Sequence, residues 1–316
     1  MIHSQRYRAT TPGGIGNLGP GLDVLGCAVV GGRDEVIAEW YDAPGVTLLD
    51  PGHPELPSAA ARHASSIAAA AVLAHARRRH ATLAAAGVAL TVTKGLPLSG
   101  GQGGSAASAV AGASAVNALL GDVLDTPALL ACCLDAETKV SGRHLDNIAP
   151  ALLGGIVLVR SLDPIEVLRL PTPTGLHLAI AHPALRLSTA KARRALPDAV
   201  SREVLTHQIA HVAAMVAACY ADDLALFGRA LDDRVAEPAR VPLLPGFAAA
   251  KRAALEAGAL GASISGAGPS AFAVTGDAET GAKVAEAMKR CYEREGIECS
   301  ARVTTVDHQG TLVTAL

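Results

Sequence analysis

Apolar and polar residues alternate from Tyr7 to Thr10 and from Glu35 to Trp40, the period of half-buried strands, and the glycine-rich stretch between them reads as a long turn. A second loop is expected at Asp50 to Pro57. From Pro57-Ser58 the period lengthens to that of a helix, with Ala and Ile recurring to about Ala76 and Arg77, Arg78 and Arg79 complementing the dipole at its C-terminal end. Val88 to Thr93 alternates again and runs straight into GLPLSGGQGG, after which a helix is predicted over Ser105 to Leu120, stopped by Gly121. Strand, loop and helix form one unit. Thr126 as N-cap, with Pro127 at the first helical position, starts a further helix that continues to about Lys139.

The apolar run GGIVLVRS closes this half, and the Pro-punctuated stretch from Leu162 to Gly175 marks the expected boundary. The chain is therefore read as an N-terminal domain over 1–165 and a C-terminal domain over 166–316. Beyond the boundary a strand is expected over Leu176 to Ala181, helices over Ser201 to Tyr220 and Pro245 to Ala257, two strands joined by a tight turn across SISGAGPSAFAV, and a last helix and strand. The class is α/β.

At 316 residues the chain exceeds the size at which a single core usually stops growing, which fits two domains around one cleft. Half the residues are apolar but only 3% are aromatic, so the core must come from Ala, Val, Leu and Ile with many close backbone approaches. Lys and Arg number 27 against 29 acids, too even a balance to recruit nucleic acid or an anionic membrane by long-range attraction. Any anion must be held locally. The N-terminal residues lack an apolar leader, and the Ala-rich run from Ser58 to Ala74 is broken by Arg62 and His63, so no membrane span and a cytoplasmic location are the expectations. The six cysteines, with no C-x-x-C spacing, read as reduced thiols rather than a disulfide framework or zinc site.

Binding phosphate by backbone needs residues without a Cβ, so that successive N–H groups can face oxygen, and a following helix whose N-terminus adds positive potential. Gly100 to Ser105 supplies both. The same segment satisfies the dinucleotide pattern G-x-G-x-x-A at Gly101, Gly103 and Ala106, so an NAD-dependent dehydrogenase is a competing reading. It lacks an acidic residue ending a strand ~20 residues later, where a ribose would be read. A second match at Gly14, Gly16 and Gly19 fails because Gly19-Pro20-Gly21 cannot continue into a helix. No P-loop lysine motif and no H-R-D or D-F-G triplet occurs. Phosphoryl transfer remains open, since it asks mainly for a phosphate cradle, a carboxylate and hydroxyl for Mg²⁺, and a positioned acceptor.

Three segments, NLGPGLDVLGCAV from Asn17, GLPLSGGQGGSAAS from Gly95 and SISGAGPSAFAV from Ser263, resemble the three motifs of the GHMP kinases in order and spacing. KVSGRHLDNIAPALLGG from Lys139, STAKARRALP from Ser188 and EPARVPLLPGF from Glu237 resemble segments of the homoserine-phosphorylating branch. The resemblance spans nearly the whole chain. It implies an N-terminal α/β domain like those of ribosomal proteins, a C-terminal ferredoxin-like α+β domain, and ATP-dependent phosphorylation of the L-homoserine hydroxyl in threonine biosynthesis. Homodimers are common in the family. Another kinase of the superfamily and a non-catalytic nucleotide-binding relative are the alternatives.

By the same resemblance, Pro97, Leu98, Ser99, Gly100, Gly101, Gln102, Gly103, Gly104, Ser105 and Ala106 wrap the ATP phosphates, and Ser105 with Glu137 holds Mg²⁺. Asn17, Asp23, His144 and Asn147 take the amino and hydroxyl end of the substrate, and Arg193 and Arg240 take its carboxylate. Thr189, one helical turn before Arg193, faces the same side. Plainer roles stand beside these: a helical acid paired with lysine for Glu137, surface ion pairs for the arginines, an Asx turn for Asp23. Asp23, Glu137 and Ser105 are the catalytic nominees, with no general base, since a loose transition state lets the hydroxyl lose its proton late.

Two departures from the family pattern stand out. Pro12-Gly13-Gly14-Ile15-Gly16-Asn17 replaces the usual P-A-T-x-A-N, and Gly104 stands where the phosphate loop usually has a serine. The missing hydroxyl would cost about 1 kcal/mol if it bonded a phosphate. The extra glycines are expected to loosen both loops.

Overall fold

The computed structural model describes residues 5–80, 83 and 85–316. Strands β1 (Arg6–Gly16) and β2 (Leu25–Tyr41) pair antiparallel along most of their length, so the long turn expected between them shrinks to residues 17–24. Gly13, Gly14 and Gly16 are strand residues. A Cβ at Gly16 would sit 2.5 Å from Asn147 Nδ2 and 2.6 Å from Asp146 Oδ2, so this glycine makes room for side chains rather than loosening a loop.

Strand β3 (Gly45–Asp50), which the alternation did not reveal, lies parallel to β4 (Gly87–Thr93), and helix α1 (Ala64–Arg79) makes the crossover. The helix begins later than Pro57-Ser58. His63 stays extended, its ring held by Ser65 Oγ at 2.8 Å and the Pro51 carbonyl at 3.2 Å, and only one 3-10 turn precedes it. Helix α2 (Gly104–Leu119) is buried from Ala106 onward. Its small residues are what allow this: a Cβ at Gly112 would lie 2.5 Å from the Ser65 carbonyl oxygen of α1. Helix α3 (Thr126–Val140) is capped by Asp125, whose carboxylate accepts from Ala128 N, rather than by Thr126.

Helix α4 (Ile148–Leu153) leads into β5 (Ile156–Leu162) and β6 (Ile165–Leu170), and β5 pairs with the start of β2. The first sheet thus runs on to Leu170, past the expected boundary at 165. The chain's last strand, β11 (Leu312–Ala315), returns to it and pairs with β1.

The second sheet contains β7 (His177–Pro183), β8 (Gly261–Ile264), β9 (Ala271–Thr275) and β10 (Cys299–Thr304), in the order β10-β7-β9-β8 and antiparallel throughout. That is the order of a ferredoxin-like split β-α-β unit. Between β7 and β8 run α5 (Thr189–Arg194), α6 (Arg202–Ala221), α7 (Leu224–Arg229), α8 (Ala236–Arg240) and α9 (Phe247–Glu256), and α10 (Ala278–Arg294) joins β9 to β10. One apolar core lies between the first sheet and α1 to α4. Another packs α9 and α10 on the second sheet, and a third, with Leu25, Ile156, Met215 and Phe272, fills the space between the two halves. By length and composition α6 is apolar enough to cross a membrane, but its Gln208 bonds Pro20 O and Asp233 Oδ1 within the fold.

Candidate active site

Residues 94–103 link β4 to α2. The N-cap of α2 is Gly103 at φ 69°, a left-handed conformation that suits glycine, and no side chain caps the helix. The first N–H groups of α2 therefore open into a cavity of about 430 Å³ between the two halves. Pro97, Leu98, Ser99, Gly100, Gly101, Gly103, Gly104 and Ser105 line it. Gln102 and Ala106 do not: Gln102 turns its side chain toward Ser270 and Arg302. Across the cavity stand Leu56, Pro57, Arg62 and His63.

The loop is held from behind by the tight turn between β8 and β9. Ser265 Oγ donates to Gly101 O (2.6 Å), Ser270 Oγ donates to Gly100 O (2.5 Å), and His182 Nδ1 meets Ser270 Oγ at 3.0 Å. Gly14 N donates to Gln102 O, and Gly266 N to Gly16 O. The three glycine segments thus converge as one assembly. The space beside Gly104 faces Lys94, whose ammonium would lie 3.5 Å from a Cβ there and donates to Gly104 O.

Two buried groups on the floor of the cavity each keep one atom without a partner. Glu137 is 2% exposed and accepts from Ser105 Oγ at 3.3 Å through Oε1, while Oε2 has no hydrogen-bond partner. Burial pushes its carboxyl above the usual range, with His144 and Ser141 working against the rise. His144 Nδ1 donates to Asp146 Oδ1 (3.0 Å), and its Nε2 is buried without a partner, 4.0 Å from Glu137 Oε1. Burial alone would lower His144, but Asp146, Glu137 and Asp23 outweigh it and hold the ring above its ordinary pKa. An unpaired buried carboxylate oxygen beside a hydroxyl is a donor set for a hard dication, so the residues present fit Mg²⁺.

The acceptor-side residues gather around the 17–24 turn. Asn17, Leu18 and Asp23 all have positive φ, local strain that the surrounding bonds maintain. Asn17 N donates to Asp146 Oδ2, Asn17 Nδ2 donates to Gly266 O, and Asn17 Oδ1 accepts from Asp23 N. Arg193 on α5 grips Asp23 with both forks, at 2.7 and 2.9 Å, and keeps a buried, unpartnered Nε. Burial would raise Asp23, but Arg193 overrides it and, with His144 and Arg240, holds the carboxyl low. Arg240, 3% exposed, donates to Gly266 O at 2.8 Å and also keeps an unpartnered Nε. Thr189, His144 and Asn147 line the cavity. Asn17, Asp23, Arg193 and Arg240 do not line it, but Asp23 comes within 4.8 Å of His144, which does, and Asn147 stands between Gly16 and Gly103.

Sequence reasoning missed Asp146, His182, Lys94 and Asp34. Asp146 lies inside the HLDN run that supplied His144 and Asn147, so that run was its signal. The other three carry none, because their roles depend on partners remote in sequence.

The family model described as GHMP kinases N terminal domain matches residues 64–155, and that described as GHMP kinases C terminal matches residues 215–294. A homoserine kinase of Chlorobium phaeobacteroides is 37% identical over 308 residues, covering 95% of this chain and 96% of that protein. One from Arabidopsis thaliana is 39% identical over 308 residues, covering 95% and 82%. The crystal structure of homoserine kinase from Cytophaga hutchinsonii matches with a TM-score of 0.90 at 38% identity, covering 98% and 97% of the two chains. Mevalonate kinase from L. major, at 19% identity and a TM-score of 0.67, shares the fold alone.

Proposed function

This chain belongs to the homoserine kinases of the GHMP kinase family, and from that premise we propose that its cleft transfers the γ-phosphoryl group of ATP to the side-chain hydroxyl of L-homoserine. The observation that carries the reading is the junction of two unlike surfaces. The uncapped start of α2 suits phosphates, and the Asp23–Arg193 pair beside it suits a zwitterion.

On this reading the substrate carboxylate exchanges Asp23 for itself on Arg193 and also takes Arg240. The ammonium takes Asp23 and Asn17, and Asn147 orients the hydroxyl toward the loop. Ser105 Oγ and Glu137 would hold Mg²⁺, which when bound would supply positive charge against the phosphates. The acidic neighbours of His144 raise its pKa, which favours the protonated ring over a free base. Its Nε2–H instead offers a donor to a phosphoryl oxygen. The hydroxyl proton leaves late, to the transferred group itself.

A coupled ADP-release assay with L-homoserine, mevalonate, galactose and threonine tests this. ADP release requires both Mg-ATP and homoserine, and Arg240→Ala raises the KM for homoserine about tenfold or more. Turnover with a different alcohol and none with homoserine would sink the substrate assignment while keeping the kinase. We extend the reading to a cytoplasmic homodimer, supported by the free thiols and by the stripe of Leu205, Ile209 and Tyr220 on α6, exposed by 50, 61 and 66%. A monomeric mass in solution would refute the dimer.

A further inference from the structure

We propose that Gln208 is a positioning residue for the acceptor: its side-chain amide holds the turn that carries Asn17 and Asp23 at a fixed distance from the helix that carries Arg240. The inference rests on the assignment of the cleft to homoserine and adds a specificity element to it. Gln208 lies on α6 and does not line the cavity, so it acts through other residues.

Its Nε2 donates to Pro20 O, inside the 17–24 turn, at 3.2 Å and to Asp233 Oδ1 at 3.0 Å, while its Oε1 accepts from Arg234 N at 2.9 Å. These partners settle which way the amide points, because a peptide carbonyl only accepts and a backbone N–H only donates. Both ends of the amide are in use.

Each partner leads to the acceptor side by a short path. Pro20 is three residues from both Asn17 and Asp23, within the turn where those two and Leu18 have positive φ. Asp233, 6% exposed, accepts from Val235 and Ala236 N through Oδ1 and from Glu237 N through Oδ2, which fixes the start of α8, and Arg240 ends that helix. Glu237 in turn accepts from Lys251 Nζ and Ser263 Oγ. The helix is clamped at its first turn, and Gln208 is bonded to the clamp.

Turn and helix also meet at Gly266 O, which accepts from Asn17 Nδ2 at 3.0 Å and from an Arg240 terminal nitrogen at 2.8 Å. With that joint alone the two walls could pivot about it; the Gln208 joint fixes the angle. An α-amino acid needs this, since its ammonium and carboxylate share one carbon, and Asp23 and Arg240 must hold their separation to within about 0.5 Å to engage both at once. A ligand with only one of the two charges makes no such demand. Gln208 thus favours the zwitterion without touching it.

The test is steady-state kinetics of the full chain carrying Gln208→Met, which keeps the length and removes the amide, or Gln208→Glu, which keeps the shape but sets an oxygen against Pro20 O and Asp233. In both, the KM for homoserine is expected to rise about fivefold or more, while the KM for Mg-ATP stays within about twofold. Competitive inhibition by 4-hydroxybutyrate, which is homoserine without its ammonium, should also stay within about twofold, because it meets the arginines alone. A general structural defect would move all three constants together. Gln208→Glu preserves the comparison if the methionine variant folds poorly. No homoserine turnover in wild type removes the premise and the inference with it. Turnover in wild type with an unchanged KM for homoserine in both variants, or with all three constants shifted equally, overturns the inference alone.

Discussion

Two buried polar clusters flank the start of α2, and they differ in one respect. In the first, Asp34 is fully buried and every atom is used: Oδ1 accepts from Gly95 N and Leu96 N, and Oδ2 accepts from Lys94 Nζ and from Ser108 Oγ. Lys94 Nζ completes its set with Ser108 Oγ and Gly104 O. In the second, Glu137 Oε2 and His144 Nε2 are as deeply buried but have no partner. Desolvating a polar group without replacing its bonds costs about 1–3 kcal/mol, and more for a charged one. These two atoms belong to residues that line the cavity, where a bound ligand can complete them. The saturated cluster is scaffold for the loop; the unsaturated one is the place where the loop's cargo docks.

The sharpest way to break this contrast is Asp34→Ala. It strands Lys94 and two backbone donors at the entry to the phosphate loop, so unfolding free energy should fall by about 3–5 kcal/mol. A denaturant-melt loss under about 1 kcal/mol would show that the cluster is not scaffold. Glu137→Gln should do the reverse: folding stability holds or rises, because a desolvated charge is gone, while kcat drops about 10²–10³-fold. Equal loss of stability in both variants would erase the distinction.

A smaller effect should appear as pH falls. Burial raises Glu137 above its ordinary 4.5, so its carboxylate is lost at a higher pH than an exposed glutamate's. Protonation there favours the folded state, so the loss of rate is not unfolding. Asp23 runs the other way: held below 3.8, it contributes stability above that value and loses it only as pH falls further. Between the two, the KM for Mg-ATP should climb while that for homoserine stays level, and Glu137→Gln should lack this acid limb. A parallel rise of both constants would mean that the two carboxylates titrate together.

Much of the architecture was legible in the residue pattern. The strand, loop and helix around Gly100 to Ser105 follow from alternation, glycine and a small-residue helix, and the order of motifs pointed to the family. Two errors fall where local preference lost to a contact farther along the chain, and a third, at the cap of α3, is a local one. Pro57-Ser58 is a fair helix start, but the bonds of His63 delay it to Ala64. Gly13 to Gly16 look like a mobile loop, but pairing with β2 makes them strand. Asp125 rather than Thr126 caps α3 because its carboxylate reaches Ala128 N.

What the sequence by itself determined is whatever a residue settles within a few positions: where the backbone turns left-handed, where small side chains admit a close approach, and where a helix begins after a loop that can face phosphate. Only the tertiary structure decided which buried charges are complete. Asp34 meets Lys94 across 60 residues, Asn17 meets Asp146 across 129, and Asp23 meets Arg193 across 170. Whether a buried carboxylate is scaffold or site depends on partners that folding alone brings within hydrogen-bond range.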